Sequence, residues 1–331
     1  MKRRTFVRAP ALLLSVTGIA LTIGASAVGA QDLPPLEKKE RYKVGFAQME
    51  SNNPWRIAET KSFVDTAEEC GWDLISTDAA GSAAKQVADV DSMIAQGIDV
   101  LFLPPREEKP LIPAVMKARA AGIPTFLIDR SVDASVAQAG RDYVAFLGSD
   151  FIDQGRRVAE WTLENFEGEQ GVIVELEGTT GSSPANDRRK GFDDVMAEHD
   201  HMQIVASQSG DFARDLGRQV METLLQAHPD VNIVYAHNDE MAIGAIQALK
   251  LAGRVPGDDV LIVSIDGTRD ALQAIIDGEM GVTVESSPFF GPLACDVMKR
   301  YAEGETIEPW VQVEDRIFTA ENAADHIDEA Y

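Results

Sequence analysis

From Lys43 onward the chain repeats one pattern: a short apolar run ending in polar residues, then a longer segment whose apolar residues recur every three or four positions. The runs Val44–Gln48, Asp73–Thr77, Val100–Pro104, Thr125–Asp129 and Tyr143–Gly148 predict strands, with helices near Pro54–Cys70, Ala83–Gln96 and Lys109–Ala121 between the first four. A second series opens at Gly171, with strands at Val172–Leu176, Ile204–Ser207, Ile233–Ala236, Leu261–Ile265 and Gly281–Val284. Helices near Pro184–Ala197, Arg214–Ala227, Asp239–Ala252 and Arg269–Asp277 separate them. Such alternation, with parallel strands covered by helices on both faces, predicts two doubly wound α/β domains. Gly71, Gly97, Gly122 and Gly253 each sit just past a periodic segment, where a left-handed residue that ends a helix costs glycine least. The two halves repeat in architecture, not in sequence.

The first thirty residues follow another pattern. Lys2, Arg3, Arg4 and Arg8 precede the apolar run Ala11–Ala27, and the small residues Ala25-Ser26-Ala27 and Val28-Gly29-Ala30 lead to the polar Gln31-Asp32. This reads as a cleavable signal peptide over 1–30, followed by a linker over 31–42. A retained membrane anchor would need about 20 apolar residues and no cleavage-like site. Arg3-Arg4-Thr5-Phe6-Val7-Arg8 also resembles a twin-arginine signal, which leaves the export route open. An exported, periplasmic protein is expected.

Length and composition then narrow the class. At 331 residues, with 45% hydrophobic and 25% charged, the chain can bury the cores of about two domains of ~150 residues, which excludes wholesale disorder. Against 30 Lys+Arg stand 54 Asp+Glu, a formal charge of -24 that becomes about -28 without the first thirty residues. That sign repels a phosphate backbone, so no nucleic-acid partner is expected. The acidity is read as a solvated surface that keeps an exported protein soluble, with adaptation to a salty habitat as the alternative. Cys70 and Cys295 show no metal-ligand spacing,. An oxidising compartment would permit one bridge between them, but two buried free thiols satisfy the same facts and are the expectation.

In an open parallel sheet, ligands bind beyond the carboxyl ends of the strands. Those ends carry Gln48 to Asn53, Asp129-Arg130, His237-Asn238, Asp266 and Glu285. Asp150, Asp211 and Asp239 are read as helix caps. Asp129-Arg130 reads as a ligand contact, because an acceptor and a five-donor fork stand side by side where a buried strand exits. No dinucleotide fingerprint, P-loop, GxSxG or HExxH is present, and His199 and His201 around Asp200 read as a solvated helix end,. Neither an enzyme nor a metal or other cofactor is expected.

Val44-Gly45-Phe46-Ala47-Gln48 with Asn53-Pro54-Trp55-Arg56, Phe126–Ser131, Gly178-Thr179 leading to Asp187–Phe192, Ala236–Asp239 and Ser264–Gly267 resemble the ribose-type periplasmic sugar-binding proteins of ABC importers. The likeness spans nearly the whole chain after the leader, in the right order. Within that family, Gly45–Gln48, Trp55–Thr60, Ser207–Phe212 and Tyr235–Asp239 look most like galactofuranose binders. The resemblance implies two lobes joined by three crossovers, near Phe146–Asp150, Glu285–Pro288 and Gln312–Arg316. It assigns 43–147 plus 286–311 to the first lobe and 148–285 plus 312–331 to the second. It also implies a monosaccharide clamped between closing lobes, a membrane permease as partner and a monomeric state. The alternative is a binding protein of the same fold that takes a pentose or a non-sugar signal and serves a chemoreceptor.

Carried over by position, Asn53, Asp129, Arg130, Asn238, Asp266 and Glu285 fall where the family contacts sugar, although Glu285 replaces what is more often an amide. Trp55 and Arg56 stand where ribose proteins carry two aromatics, so Arg56 implies a more oxygenated or differently shaped ligand. The stretch Asn186-Asp187-Arg188 holds a further contact, which falls on Asn186, Asp187 or Arg188, with Arg188 preferred. These types suit a sugar. Carboxylates accept from vicinal hydroxyls, arginines donate to ring and hydroxyl oxygens, Asn238 does both, and Trp55 offers a face for the C–H side of the ring. Phe212 and Phe289 either close the cleft or pack within it.

Overall fold

The computed structural model describes Met1 and residues 33–331; the expected signal peptide lies outside the described residues. Among the described residues the first elements are β1 (Tyr42–Gln48), α1 (Pro54–Ala67), β2 (Trp72–Asp78), α2 (Ala83–Ala95), β3 (Val100–Leu103), α3 (Ile112–Ala120), β4 (Thr125–Ile128) and β5 (Ala145–Gly148). After a crossing come α4 (Phe151–Asn165), β6 (Gly171–Glu177), α5 (Ser183–Met196), β7 (Met202–Ser209), α6 (Arg214–Ala227), β8 (Ile233–Ala236), α7 (Asp239–Leu251), β9 (Leu261–Asp266), α8 (Arg269–Ile276) and β10 (Val282–Glu285). A second crossing leads to α9 (Gly291–Ala302) and β11 (Trp310–Gln312), and a third to β12 (Ile317–Thr319) and α10 (Ala323–His326).

Two six-stranded sheets result, ordered β11-β5-β4-β3-β1-β2 and β12-β10-β9-β8-β6-β7. Every pairing within them is parallel except β10 with β12. Central strands such as β3, β4 and β8 are buried along their whole length, as strands covered on both faces must be. Apolar clusters lie on both faces of each sheet. The architecture is two doubly wound α/β lobes.

The expected helix-ending glycines at 71, 97, 122 and 253 all have φ between 67 and 77°. Helices α4, α9 and α10 lie outside the helix ranges read from sequence, which for α4 offers only its cap, Asp150. In α4 the residues Phe151, Gln154, Gly155, Val158, Ala159 and Thr162 are buried. The buried stripe is regular, and Gln, Gly and Thr make half of it. Gly155 lets α4 approach α5 closely, since a Cβ there would stand 2.2 Å from the carbonyl oxygen of Arg188.

The cysteines correct the expectation of free thiols. Cys70, just beyond α1, and Cys295 on α9 form a disulfide with their Cα atoms 6.0 Å apart. The packing of α1 on α9 brings both thiols to bridging range, a proximity that 225 residues of sequence separation conceal,. At the crossings, Asp315 accepts from Ser149 Oγ (2.9 Å) and Gln154 Nε2 (2.7 Å), and Gln154 Nε2 also donates to the carbonyl of Glu285 (3.2 Å). All three crossings are thereby laced together.

Candidate ligand-binding site

The carboxyl ends of the two sheets line a small polar cavity. On the first-lobe side, Asn53 caps α1 by accepting from the backbone N–H of Arg56 at 2.9 Å. Pro54 follows at the first helical position, where its missing N–H costs nothing. That start fixes Trp55 and Arg56 in the first turn. The Arg56 guanidinium donates to Glu59 Oε2 at 2.8 Å and to Asp129 Oδ2 at 2.5 Å, all three side chains being buried. Burial opposes its charge, but the two carboxylates outweigh burial and hold it above its ordinary value. Burial pushes Glu59 up to about 7, against the pull of Arg56. Trp55 donates its indole N–H to the carbonyl of Ser286 at 2.7 Å, and the Arg56 guanidinium lies 4.4 Å from its ring centroid.

Arg130 is less well satisfied. One terminal nitrogen donates to the carbonyl of Arg106 at 2.9 Å, while its buried Nε has no hydrogen-bond partner. Burial, followed by the neighbouring Arg56 charge, pushes it down to about 9. A buried donor of this kind is an opening for an oxygen atom from outside the protein.

The second lobe answers with Arg188, Asn238 and Asp266. Arg188 is held from behind by Gln154 (2.9 Å) and by the carbonyl of His237 (2.6 Å), and reaches Asp266 Oδ1 at 3.4 Å. Asp266 has little else: burial pushes its carboxyl well above the ordinary range, with Arg188 pulling the other way. Asn238 caps α7 through the N–H of Met241 (3.1 Å) and donates to the carbonyl of Phe212 (3.2 Å). Phe212 lies over the cavity with the Arg130 guanidinium 5.3 Å from its ring. Gly178 makes room for that ring, because a Cβ there would come within 1.9 Å of it. Asp129, Phe212 and Asp266 all hold positive φ, at 59, 58 and 136°. Such non-glycine strain concentrates at binding and catalytic sites.

Eight of the ten residues singled out from sequence line this one cavity: Asn53, Trp55, Arg56, Asp129, Arg130, Arg188, Asn238 and Asp266. Two stand elsewhere. Glu285 is engaged by Arg316 at 2.7 Å beside the crossings. Asp187 faces a separate groove walled by Tyr143, Phe146, Phe151 and Trp310, because on a helix adjacent residues point about 100° apart and Arg188 takes the cavity side. Phe212 lines the cavity, whereas Phe289 is half exposed and meets Tyr331. Pro184 and Ser286, which the sequence did not single out, complete the lining. Ser286 follows Glu285 directly, so the strand end was found but the side chain was off by one.

Of the three expected caps, Asp150 caps α4. Asp239 does not cap; Asn238 does, and Asp239 is buried, accepting from Ser264 Oγ, Thr283 Oγ1 (2.8 Å) and the N–H of Thr268 (2.7 Å). Burial pushes it up to about 6. Asp211 caps nothing either. It pairs with Arg106 of the opposite lobe at 3.3 Å.

The cavity thus presents three guanidinium groups and two carboxylates to a small space with an aromatic on each side. It can hold a compact, neutral molecule carrying several hydroxyls, each of which finds a donor or an acceptor.

Residues 44–306 match the model of the periplasmic binding protein domain. The chain is 37% identical over 298 residues to the galactofuranose-binding protein of Escherichia coli (strain K12), covering 89% of this chain and 90% of that one. Among solved structures, it is similar to a Mycobacterium smegmatis protein in complex with β-D-fucofuranose (39% identity, TM-score 0.83, 87% of this chain and 94% of that one). It is also similar to the binding-protein component of the arabinose ABC transporter of Shewanella sp. ANA-3, bound to L-arabinofuranose (36% identity, TM-score 0.82, 87% and 95%).

Proposed function

The chain belongs to the periplasmic binding protein family, and from that premise we propose that its cargo is a monosaccharide in five-membered-ring form, galactofuranose before any other. It is the sugar-binding component of an ABC importer, a capture protein and not an enzyme, working with a membrane permease. Family membership points to the periplasm, and the leader-like first thirty residues and the Cys70–Cys295 bridge both suit export to an oxidising compartment,. The chain acts as a monomer whose two lobes close on the sugar.

The observation that carries this reading is the paired wall: Asp129 and Arg130 from one lobe face Asp266 and Arg188 from the other across a single cavity. Hydroxyls of a sugar held there are satisfied from both sides only when the lobes are together, so binding favours closure. Arg56 adds a charged donor that a smaller, less oxygenated pentose would not need. The furanose preference draws its support from the three similar proteins, whose sugars are galactofuranose, fucofuranose and arabinofuranose. The last of these also makes a pentofuranose the second reading.

Calorimetric titration with D-galactose, L-arabinose and D-ribose tests the cargo, together with native mass spectrometry for a co-purified hexose. Galactose is expected to bind through its minor furanose form, and scattering with saturating sugar is expected to show a smaller radius of gyration. Stronger binding of arabinose would move the assignment to pentofuranose. Failure of all three sugars, with no hexose co-purified, would overturn it.

A further inference from the structure

Tyr331 stands beside the crossings between the two lobes. Ile327 and Ala330 pack into the apolar core of the second lobe. Tyr331 packs instead against the first-lobe cluster that contains Trp55 and Phe290. A single residue step therefore carries the chain from one lobe to the other. Its backbone stays tied to the second lobe, since its carbonyl accepts from the N–H of Arg269, the first residue of α8, at 3.1 Å. Its ring meets Phe289, on the crossing between β10 and α9, edge-on with centroids 6.0 Å apart.

Two further observations give this placement a purpose. The phenolic oxygen is buried without a hydrogen-bond partner, so ring packing, not the hydroxyl, accounts for its seat. The wall behind which it sits belongs to the cavity: Ser286 donates its N–H to the carbonyl of Asp266 at 3.0 Å and accepts from Trp55. Gly267, next to Asp266, shares a second pocket with Tyr331.

We propose that Tyr331 is a strap between the lobes, a positioning residue that fastens the second lobe to the first in the closed form and so sets how long the ligand is retained. The inference rests on the reading of the cavity as the ligand site. On this proposal the contact is made with the lobes together and lost as they part, so it slows opening, leaves the first encounter unchanged and acts on the dissociation rate.

Stopped-flow binding of D-galactose and L-arabinose to wild type, Tyr331→Ala and Tyr331→Phe tests the strap. Tyr331→Ala is expected to release sugar roughly 10-fold to 50-fold faster, with association within about threefold of wild type. Tyr331→Phe keeps the ring and should match wild type within about twofold. Wild-type release from Tyr331→Ala overturns the proposal, as does a loss that lies wholly in association or comes with a collapsed melting temperature. If neither sugar binds, the assignment of cargo fails, and the strap is then read from distances between spin labels placed on the two lobes. Wild type must then show a closed population that Tyr331→Ala loses; a wild type with no closed population, or identical distributions, overturns the strap.

Discussion

The two walls of the cavity carry the same chemistry and are built in different ways. On the first-lobe side, Asp129 is locked by Arg56, which Glu59 holds in turn, so its carboxylate is part of a buried ion-pair triad before any ligand arrives. On the second-lobe side, Asp266 has only the 3.4 Å contact with Arg188, whose other nitrogens are committed to Gln154 and to the carbonyl of His237. One wall is a preassembled frame; the other keeps an acceptor in reserve. Removing one partner from a buried ion pair strands the other, whereas removing an under-satisfied carboxylate strands little. Two aspartates that looked equivalent at the ends of β4 and β9 should therefore fail in different ways.

Asp129→Ala is the largest effect expected. It removes an acceptor for ligand hydroxyls and leaves the buried Arg56 with Glu59 alone, so binding should weaken by ~2–5 kcal/mol, roughly 30-fold to several-thousand-fold in Kd. The unliganded melting temperature should fall as well. Asp266→Asn should cost less, about 1.5–3 kcal/mol of binding, or roughly 10-fold to 150-fold, and should not lower the unliganded melting temperature. Its pH dependence has a definite sign. A carboxyl held above its ordinary range in the folded protein contributes stability that is fully present below the ordinary carboxylate pKa and is lost as pH rises through the elevated one,. Asp266→Asn should accordingly melt at or above wild type near pH 7, and that gap should close as the pH is lowered towards 4. Calorimetric titration and thermal melts of both variants read all of this. Equal losses of melting temperature in the two would show that the walls are built alike.

The sequence carried most of the fold because most strands are short and followed by a helix, although β2, β7 and β11 are only partly buried and β4 and β11 lead to another strand. For α4 the sequence shows the start, through the cap Asp150, but half of its buried stripe is Gln, Gly and Thr, residues that do not announce a core face. Site residues were legible where a strand end fixes them, as for Asp129, Arg130, Asn238 and Asp266. They were less so where a helix sets the direction: Asp187 and Arg188 are neighbours in sequence, and only the packing of α4 on α5 decides which faces the cavity. Glu285 was displaced for a different reason. It lies at the end of β10, but Arg316, thirty-one residues on, draws it away from the cavity to the crossings, and Ser286 lines the cavity in its place. The Cys70–Cys295 bridge and the Arg106–Asp211 pair join parts of the chain that no local pattern relates.

That last pair provides the finest test of the comparison, because it connects the two walls directly. Asp211 of the second lobe takes Arg106 of the first at 3.3 Å, while Arg106 also pairs with the buried Glu50 at 2.8 Å. Replacing Arg106 would strand Glu50, so the informative change is Asp211→Asn. Asp211 has φ of 52°, a conformation asparagine tolerates better than most residues, which keeps the turn intact while removing one charge. Asp211 is partly exposed, so the pair should contribute no more than about 1 kcal/mol, or roughly fivefold in Kd. The loss should fall on ligand release, because the pair exists only with the lobes together. Salt supplies the control: wild-type affinity should weaken as ionic strength rises, and Asp211→Asn should respond less, since the screened interaction is already gone. If the variant matches wild type in Kd and in salt response, this charge pair contributes nothing to closure, and the walls are held by ligand, packing and the remaining contacts between the lobes, such as Asn186 to Glu108 at 2.8 Å and the N–H of Ser131 to Ser183 Oγ at 2.9 Å.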